Sequence, residues 1–243
     1  MPIDPLIISC LIFLVATLYS MVGHGGASGY LAILSIFAVP QIVMSSTSLV
    51  LNLFVAGISF ALYAQAKHFR WSLTWPFLVS AVPFAFIGAL FKLPETVYSV
   101  LLAIALLYAA FRLLRSAKDE PDEHELPLKY ALLSGSLIGL ISGILGIGGG
   151  IFLSPILLIC NWGNPKETAA TSAVFIFVNS LAGLSGRFFS GQLNFPTILP
   201  LMIGVCCAGA VLGSFMGAMK LPSHWIRYAL VLVLLTAVIK LIF

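Results

Sequence analysis

A chain of 243 residues that is 60% hydrophobic and 8% charged, with a mean hydropathy of +1.11, lies far from the soluble globular mixture of about half apolar and a quarter charged residues. Its formal charge of +4 sits at segment ends and connections, so there is no basic stripe that could bind nucleic acid. The ten-residue alternation of a membrane barrel is absent, which leaves an all-α integral membrane protein.

From Pro5 to Ala66 there is no Asp, Glu, Lys or Arg, and further charge-free runs cover 71–91, 96–111, 130–165, 168–186 and 188–219. Each accommodates a spanning helix of about 20 residues, and the longest must contain a turn, so about 8–10 membrane segments are predicted. The N-terminus lacks a basic n-region and a small-residue cleavage site, so the first run is expected to stay as a helix. Gly23-His24-Gly25-Gly26 interrupts that run, and a short apolar piece follows. Pro40, Pro94, Pro165 and Pro222 mark later starts, where a missing N–H costs nothing. Asn164-Pro165-Lys166-Glu167 has the spacing of an N-cap with an acidic residue three positions on.

The stretch Ser116 to Pro127 carries Asp119, Glu120, Asp122, Glu123 and Glu125 and reads as a solvated linker. Lys67 and Arg70 flank one loop, and Arg112, Arg115, Lys118 and Lys129 flank the linker, which places both on the cytoplasmic side of a multi-pass protein of the plasma (inner) membrane.

The chain repeats itself. A shift of 123 residues lays Gly23, Gly25 and Gly26 on Gly146, Gly148 and Gly149, and a shift of 124 lays Thr47-Ser48 on Thr171-Ser172. By a shift of 128, Lys92-Leu93-Pro94 meets Lys220-Leu221-Pro222, and Phe111-Arg112-Leu113 meets Ile239-Lys240-Leu241. Two homologous halves, 1–115 and 128–243, joined by the linker 116–127, are therefore expected. If the short piece crosses the bilayer, each half has five crossings and the halves are inverted; if it turns back, each has four and they are parallel. Lys and Arg divide nine to three in the first case and eight to four in the second, which does not decide the matter. Inverted repeats commonly build alternating-access transporters and are the expected arrangement.

Irregular backbone at membrane depth is tolerated only where it is buried in protein or lines a cavity. A break followed at once by a helix start leaves unpaired N–H groups and the positive end of the helix dipole facing that cavity, which suits a small anion. Gly23, His24, Gly25 and Gly26, with Gly146, Gly148, Gly149 and Gly150, are the candidate backbone of such a site. Gly135, Gly139 and Gly143, and Gly209, Gly213 and Gly217, recur every fourth residue and read as packing ridges instead. A valine at Gly149 is accordingly expected to damage transport much more than one at Gly135.

Thr47, Ser48 and Asn52 form a second constellation, matched by Thr171, Ser172 and Asn179, and such groups either donate to an oxyanion or bond across helices. The membrane segments hold no carboxylate, which argues against a cation carrier. His24 is the one imidazole at membrane depth and could titrate near neutrality. Arg187, Lys67 and Arg70 read as snorkelling or topology-setting residues, with an anion-attracting role at one mouth open to Arg187. Cys10, Cys160, Cys206 and Cys207 have no metal or CxxC spacing and are expected to be free thiols. No cofactor or metal is called for.

These residues resemble the sulfite exporter TauE/SafE family of membrane permeases. The likeness rests on a glycine-rich break in each half, a short apolar segment, a Thr-Ser pair about twenty residues on, and His68-Phe69-Arg70-Trp71 before the next helix. The second half carries Gly146-Ile147-Gly148-Gly149-Gly150, Pro155, Ala170-Thr171-Ser172 and Gly183, whereas the first has Ala32 where that proline would stand. The resemblance implies transport of a small sulfur-containing anion such as sulfite or an organosulfonate. The expectation is therefore a secondary transporter rather than an enzyme, with an anionic substrate, the bilayer and a coupling proton or ion as partners, and a homo-oligomer as a compatible state. The alternatives are a thiol-dependent sulfur-transfer protein using Cys160, Cys206 or Cys207, and a non-transporting assembly partner.

Overall fold

The computed structural model describes residues 5–114 and 125–219. Most of the predicted linker, the helix start at Pro222 and the repeat matches at 220–222 and 239–241 lie outside the described residues. Among those described, nine helices follow in order: α1 Pro5–Ser20, α2 Ala27–Ile36, α3 Gln41–Gln65, α4 Trp71–Leu90, α5 Glu95–Leu114, α6 Leu128–Leu145, α7 Gly150–Ile159, α8 Pro165–Phe189 and α9 Leu199–Met219. Five of these, α3, α4, α6, α8 and the Leu199–Gly217 part of α9, are long and apolar enough to cross a membrane. At about 1.5 Å per residue, the short helices α2 and α7 reach through only half of a hydrocarbon core about 30 Å thick. The two are equal in length, at 10 residues, and so are α3 and α8, at 25.

Local chemistry sets the boundaries. The Asn164 side chain accepts hydrogen bonds from the amides of Lys166 and Glu167, and the Glu167 carboxylate accepts the Asn164 N–H, the reciprocal cap its spacing predicts. Asn164→Ala is expected to lose about 1 kcal/mol and lower the thermal midpoint by about 2–4 °C in a thermal-shift measurement. Pro40 precedes α3 and Pro94 precedes α5. Pro155 lies inside α7 and Ala32 is buried inside α2, so the departure at Ala32 changes neither the length nor the existence of the short helix.

Glycine ridges bring backbones together. Gly135, Gly139 and Gly143 on α6 face Phe77, Ala81 and Ala85 on α4, and Gly209, Gly213 and Gly217 on α9 face Phe13 and Thr17 of α1 and Met21 just past its end. The residues meet in ascending order in both pairs, so each pair of helices runs parallel. A Cβ at Gly139 would lie 2.3 Å from the Ala81 carbonyl oxygen, a contact with rigid backbone. Valine at Gly135 is expected to act on folding, because its Cβ would sit 2.9 Å from the Phe77 carbonyl oxygen, so the contrast with Gly149 is read from flux corrected for the amount of folded protein.

α3 and α8 pack on each other and are the most buried of the five long helices, with α9 against α3 and α4 against α8. Leu133, Leu137, Val211, Leu212 and Phe215 are exposed on the outer helices, as lipid contact requires. One end of the bundle holds the α3–α4 loop, and there Arg70 pairs with Glu167 and donates to the Trp162 carbonyl. The opposite end holds the α8–α9 connection, where the Gln192 side chain donates to the Leu90 carbonyl and Ser46 donates to the Gln192 carbonyl. α1 ends near the α3–α4 end, where Tyr63 donates to its Met21 carbonyl, and α6 ends near the α8–α9 end, where Arg187 donates to Gly143 and Ile144. α2 and α7 each run back along the helix before them, so that break and short helix together return the chain to the end of the bundle where α3 or α8 begins. Gly29 of α2 abuts Val15 and Tyr19 of α1, and Ile156 of α7 and its C-cap Cys160 share a groove with Tyr130, Leu133 and Leu137 of α6.

Candidate functional site

The second break is built from three left-handed residues. Gly146 (φ 75°) ends α6, and Gly148 (φ 77°) and Gly149 (φ 86°) lead into α7. A side chain at any of the three would strain the backbone, so glycine is required by conformation alone. The freed carbonyls are taken up by α3: Ser48 Oγ donates to Gly146 at 2.6 Å, and Asn52 Nδ2 donates to Ile147 at 3.1 Å. The first amides of α7, like those of α2, have no partner within their own helix.

The first break is held in the complementary way. Gly23 packs on Ala169 of α8, while Gly146 packs on Ser45 of α3. The His24 Nδ1 lies 3.1 Å from the Val22 carbonyl, and its ring meets Tyr19 edge-on with centroids 6.5 Å apart. Each break therefore rests on the long helix of the opposite half of the chain.

The two breaks meet at one place. A Cβ built on Gly25 would lie 2.6 Å from Asn52 Oδ1 and 2.8 Å from Ile176 Cγ2; one on Gly148 would lie 2.7 Å from Asn52 Nδ2 and 3.0 Å from both Ile176 Cγ2 and Ser180 Oγ. On Gly150 it would meet Ile176 at 2.2 Å and His24 Cδ2 at 3.8 Å. Asn52 is the twelfth residue of α3, and Ile176 is the twelfth of α8. The junction thus lies half-way along both central helices, near the middle of a bilayer they span.

Two polar atoms at the junction, Asn52 Oδ1 and Ser180 Oγ, are buried with no hydrogen-bond partner among the described residues, and so, elsewhere on the same two helices, are Thr47 Oγ1 and both polar atoms of the Asn179 amide. Leaving a buried polar atom unpaired costs about 1–3 kcal/mol, so such a concentration is expected where a ligand completes the bonding.

Not every predicted residue is brought to the junction. Ser48 and Asn52 attend the break, but Thr171 Oγ1 pairs with Thr74 Oγ1 of α4 at 3.1 Å, and Ser172 Oγ pairs with Ser154 Oγ of α7 at 2.6 Å. These two link helices, with Ser172 steadying α7 from the side. Gly26 begins α2 and lies beneath the Tyr30 hydroxyl. Ser180 and Ile176 were not anticipated, although Ser172, Ile176, Ser180, Gly183 and Arg187 follow the three- and four-residue spacing of one helix face.

The basic residues also differ from expectation. Arg187 does not snorkel: it is 3% exposed, its Nη2 donates to Gly143 and Ile144 at 3.1 Å each, and its Nε has no partner among the described residues. Arg70 bonds within the protein, as described above, while Lys67 is exposed. Beside Arg70, burial and the neighbouring Lys166 hold His68 below the usual imidazole range. All four cysteines are free; Cys206 is buried and donates to the Ile203 carbonyl, and Cys160 borders the groove between α6 and α7.

The chain is 34% identical over 235 residues to y4hK of Sinorhizobium fredii, named "Probable membrane transporter protein", with 95% of each chain covered. It is 30% identical over 191 residues to a protein of the same name from Haemophilus influenzae, covering 74% of this chain and 70% of the relative. YunE of Bacillus subtilis, also so named, is 24% identical over 191 residues, with 70% of each covered. No solved structure matches. The sequence model described as "Sulfite exporter TauE/SafE" matches residues 8–241, and this multi-pass membrane transporter belongs to that family.

Proposed function

We propose that the chain is a secondary transporter of the plasma membrane that carries a small oxyanion, sulfite or an organosulfonate, by alternating access. The observation that carries the reading is the junction of Gly25 and Gly148 at Asn52 and Ile176, where two backbone breaks meet half-way along α3 and α8 beside the unpartnered Ser180 hydroxyl. The second Nδ2–H of Asn52 and the Ser180 hydroxyl, with the free amides opening α2 and α7, replace the hydration of the anion, and the helix dipoles add positive potential without a formal charge. His24, which reaches the start of α7, is the group through which a proton would couple to the anion.

The halves 1–115 and 128–243, joined by the linker 116–127, are read as inverted repeats. Three features support that: the equal lengths of α2 and α7 and of α3 and α8, the seating of each break on the opposite long helix, and the opposed directions of α1 and α6. Rocking of one half on the other would expose the junction to each side in turn. The sulfur preference is drawn from the family description.

Purified protein in proteoliposomes is expected to give saturable sulfite flux, with and without a pH gradient, and Asn52→Ala is expected to lower it at least about tenfold by removing a donor and loosening the Ile147 carbonyl. A panel of sulfite, sulfate, thiosulfate, sulfonates and carboxylates that produces neither flux nor thermal shift would overturn the proposal.

A further inference from the structure

The feature least accounted for by these roles is Arg187. It lies seven residues past Ser180 on the same face of α8, buried at the α8–α9 end, with a guanidinium that bonds only carbonyl oxygens through Nη2. The titratable group facing it is Tyr98 of α5, whose hydroxyl donates to the next carbonyl, Leu145, at 3.0 Å. Its Nε is buried and has no partner among the described residues.

Capping the end of α6 does not require a charge. At the end of α1, Tyr63, at the position of α3 that corresponds to Arg187 by a shift of 124, does the equivalent work with a neutral hydroxyl, donating to Met21 at 2.8 Å. A buried cation is far costlier to keep in a bilayer than a phenol, and in membrane segments such a residue marks an ion path. The Nε edge is a donor that no group among the described residues uses.

We infer that Arg187 is an anion-binding residue, the counter-charge that takes up one oxygen of the oxyanion on its way between the α8–α9 end and the Asn52–Ser180 junction, when α6 and α8 part at that end. The inference rests on the transporter reading above and adds sidedness to it: a fixed positive charge guards one end of the path, and the neutral Tyr63 hydroxyl stands at the other.

The test is sulfite flux in proteoliposomes of defined orientation, with substrate supplied to one face at a time and each variant's folding checked by thermal shift. Arg187→Gln is expected to raise KM at the α8–α9 face about tenfold, to leave Vmax within about twofold, and to leave KM at the opposite face unchanged. Equal KM values for variant and wild type at both faces would overturn the inference. Should the Gln variant fail to fold, Arg187→Lys decides, because it keeps the charge but not the forked geometry. A rise in KM of about threefold or more, confined to that face, supports the inference, and an unchanged KM overturns it. Absence of flux in the wild type would instead remove the transporter reading itself.

Discussion

Gly148→Ala is expected to reduce sulfite flux on the order of 100-fold while leaving a folded protein with a lowered thermal midpoint. Two effects combine. The left-handed φ of 77° costs an L-residue roughly 1–2 kcal/mol, and relief by rotation would turn the neighbouring amides away from the junction. The new methyl would also stand 2.7 Å from Asn52 Nδ2 and 3.0 Å from Ile176 and Ser180, pushing aside the groups assigned to the anion. Gly204→Ala is the control, because that helical position has nothing within 4 Å of the new methyl. It is expected to leave flux intact and to stabilise α9 by about 0.5–1 kcal/mol. Wild-type flux from Gly148→Ala would separate the breaks from the transport site.

Gly213→Leu is expected to yield no folded protein. Its Cβ would lie 2.0 Å from the Thr17 carbonyl oxygen and 2.2 Å from Ser20 Oγ, so α1 and α9 must separate along the seam from Gly209 to Gly217. Backbone cannot give way as a side chain can, and overlap of this kind belongs with losses above about 4–5 kcal/mol. α1 leads directly into the first break, so the displacement would reach Gly23 and His24 before any other part of the site. Size-exclusion chromatography of detergent extracts is the measurement: a monodisperse peak with the wild-type thermal midpoint would contradict it. The adjacent Leu212, exposed on the outer face, should accept another apolar residue with little effect.

These two glycines differ in how readable they were. Gly213 belongs to a four-residue repeat on a helix, and that periodicity alone assigns it to a close helix contact. Gly148 belongs to a cluster too dense for a ridge, which signals a broken helix but does not identify its neighbour. Ser48 and Asn52 were legible as a polar face on an apolar helix. Thr171 and Ser172 look identical in sequence to Thr47 and Ser48, yet they bond Thr74 and Ser154 and serve packing. A hydroxyl in a membrane helix has the same local appearance whether its partner is a ligand or another helix.

What the chain's chemistry determined by itself was everything that depends on a few adjacent residues. Apolarity required membrane helices, Asn164 and Glu167 closed the start of α8, and runs of glycine allowed the left-handed turns that end α6 and admit α7. Tertiary structure alone decided which surfaces those pieces meet. Seating each break on the opposite long helix needs contacts such as Gly23 with Ala169 and Gly146 with Ser45, between residues far apart in the chain. The same packing buried Arg187 at the end of α6, paired Arg70 with Glu167, and placed Ile176 and Ser180 against Gly148. The physical reason is that a bilayer discriminates weakly between apolar helix faces. Partner choice therefore falls to close backbone approach and to the satisfaction of freed carbonyls, both of which exist only once the helices are assembled.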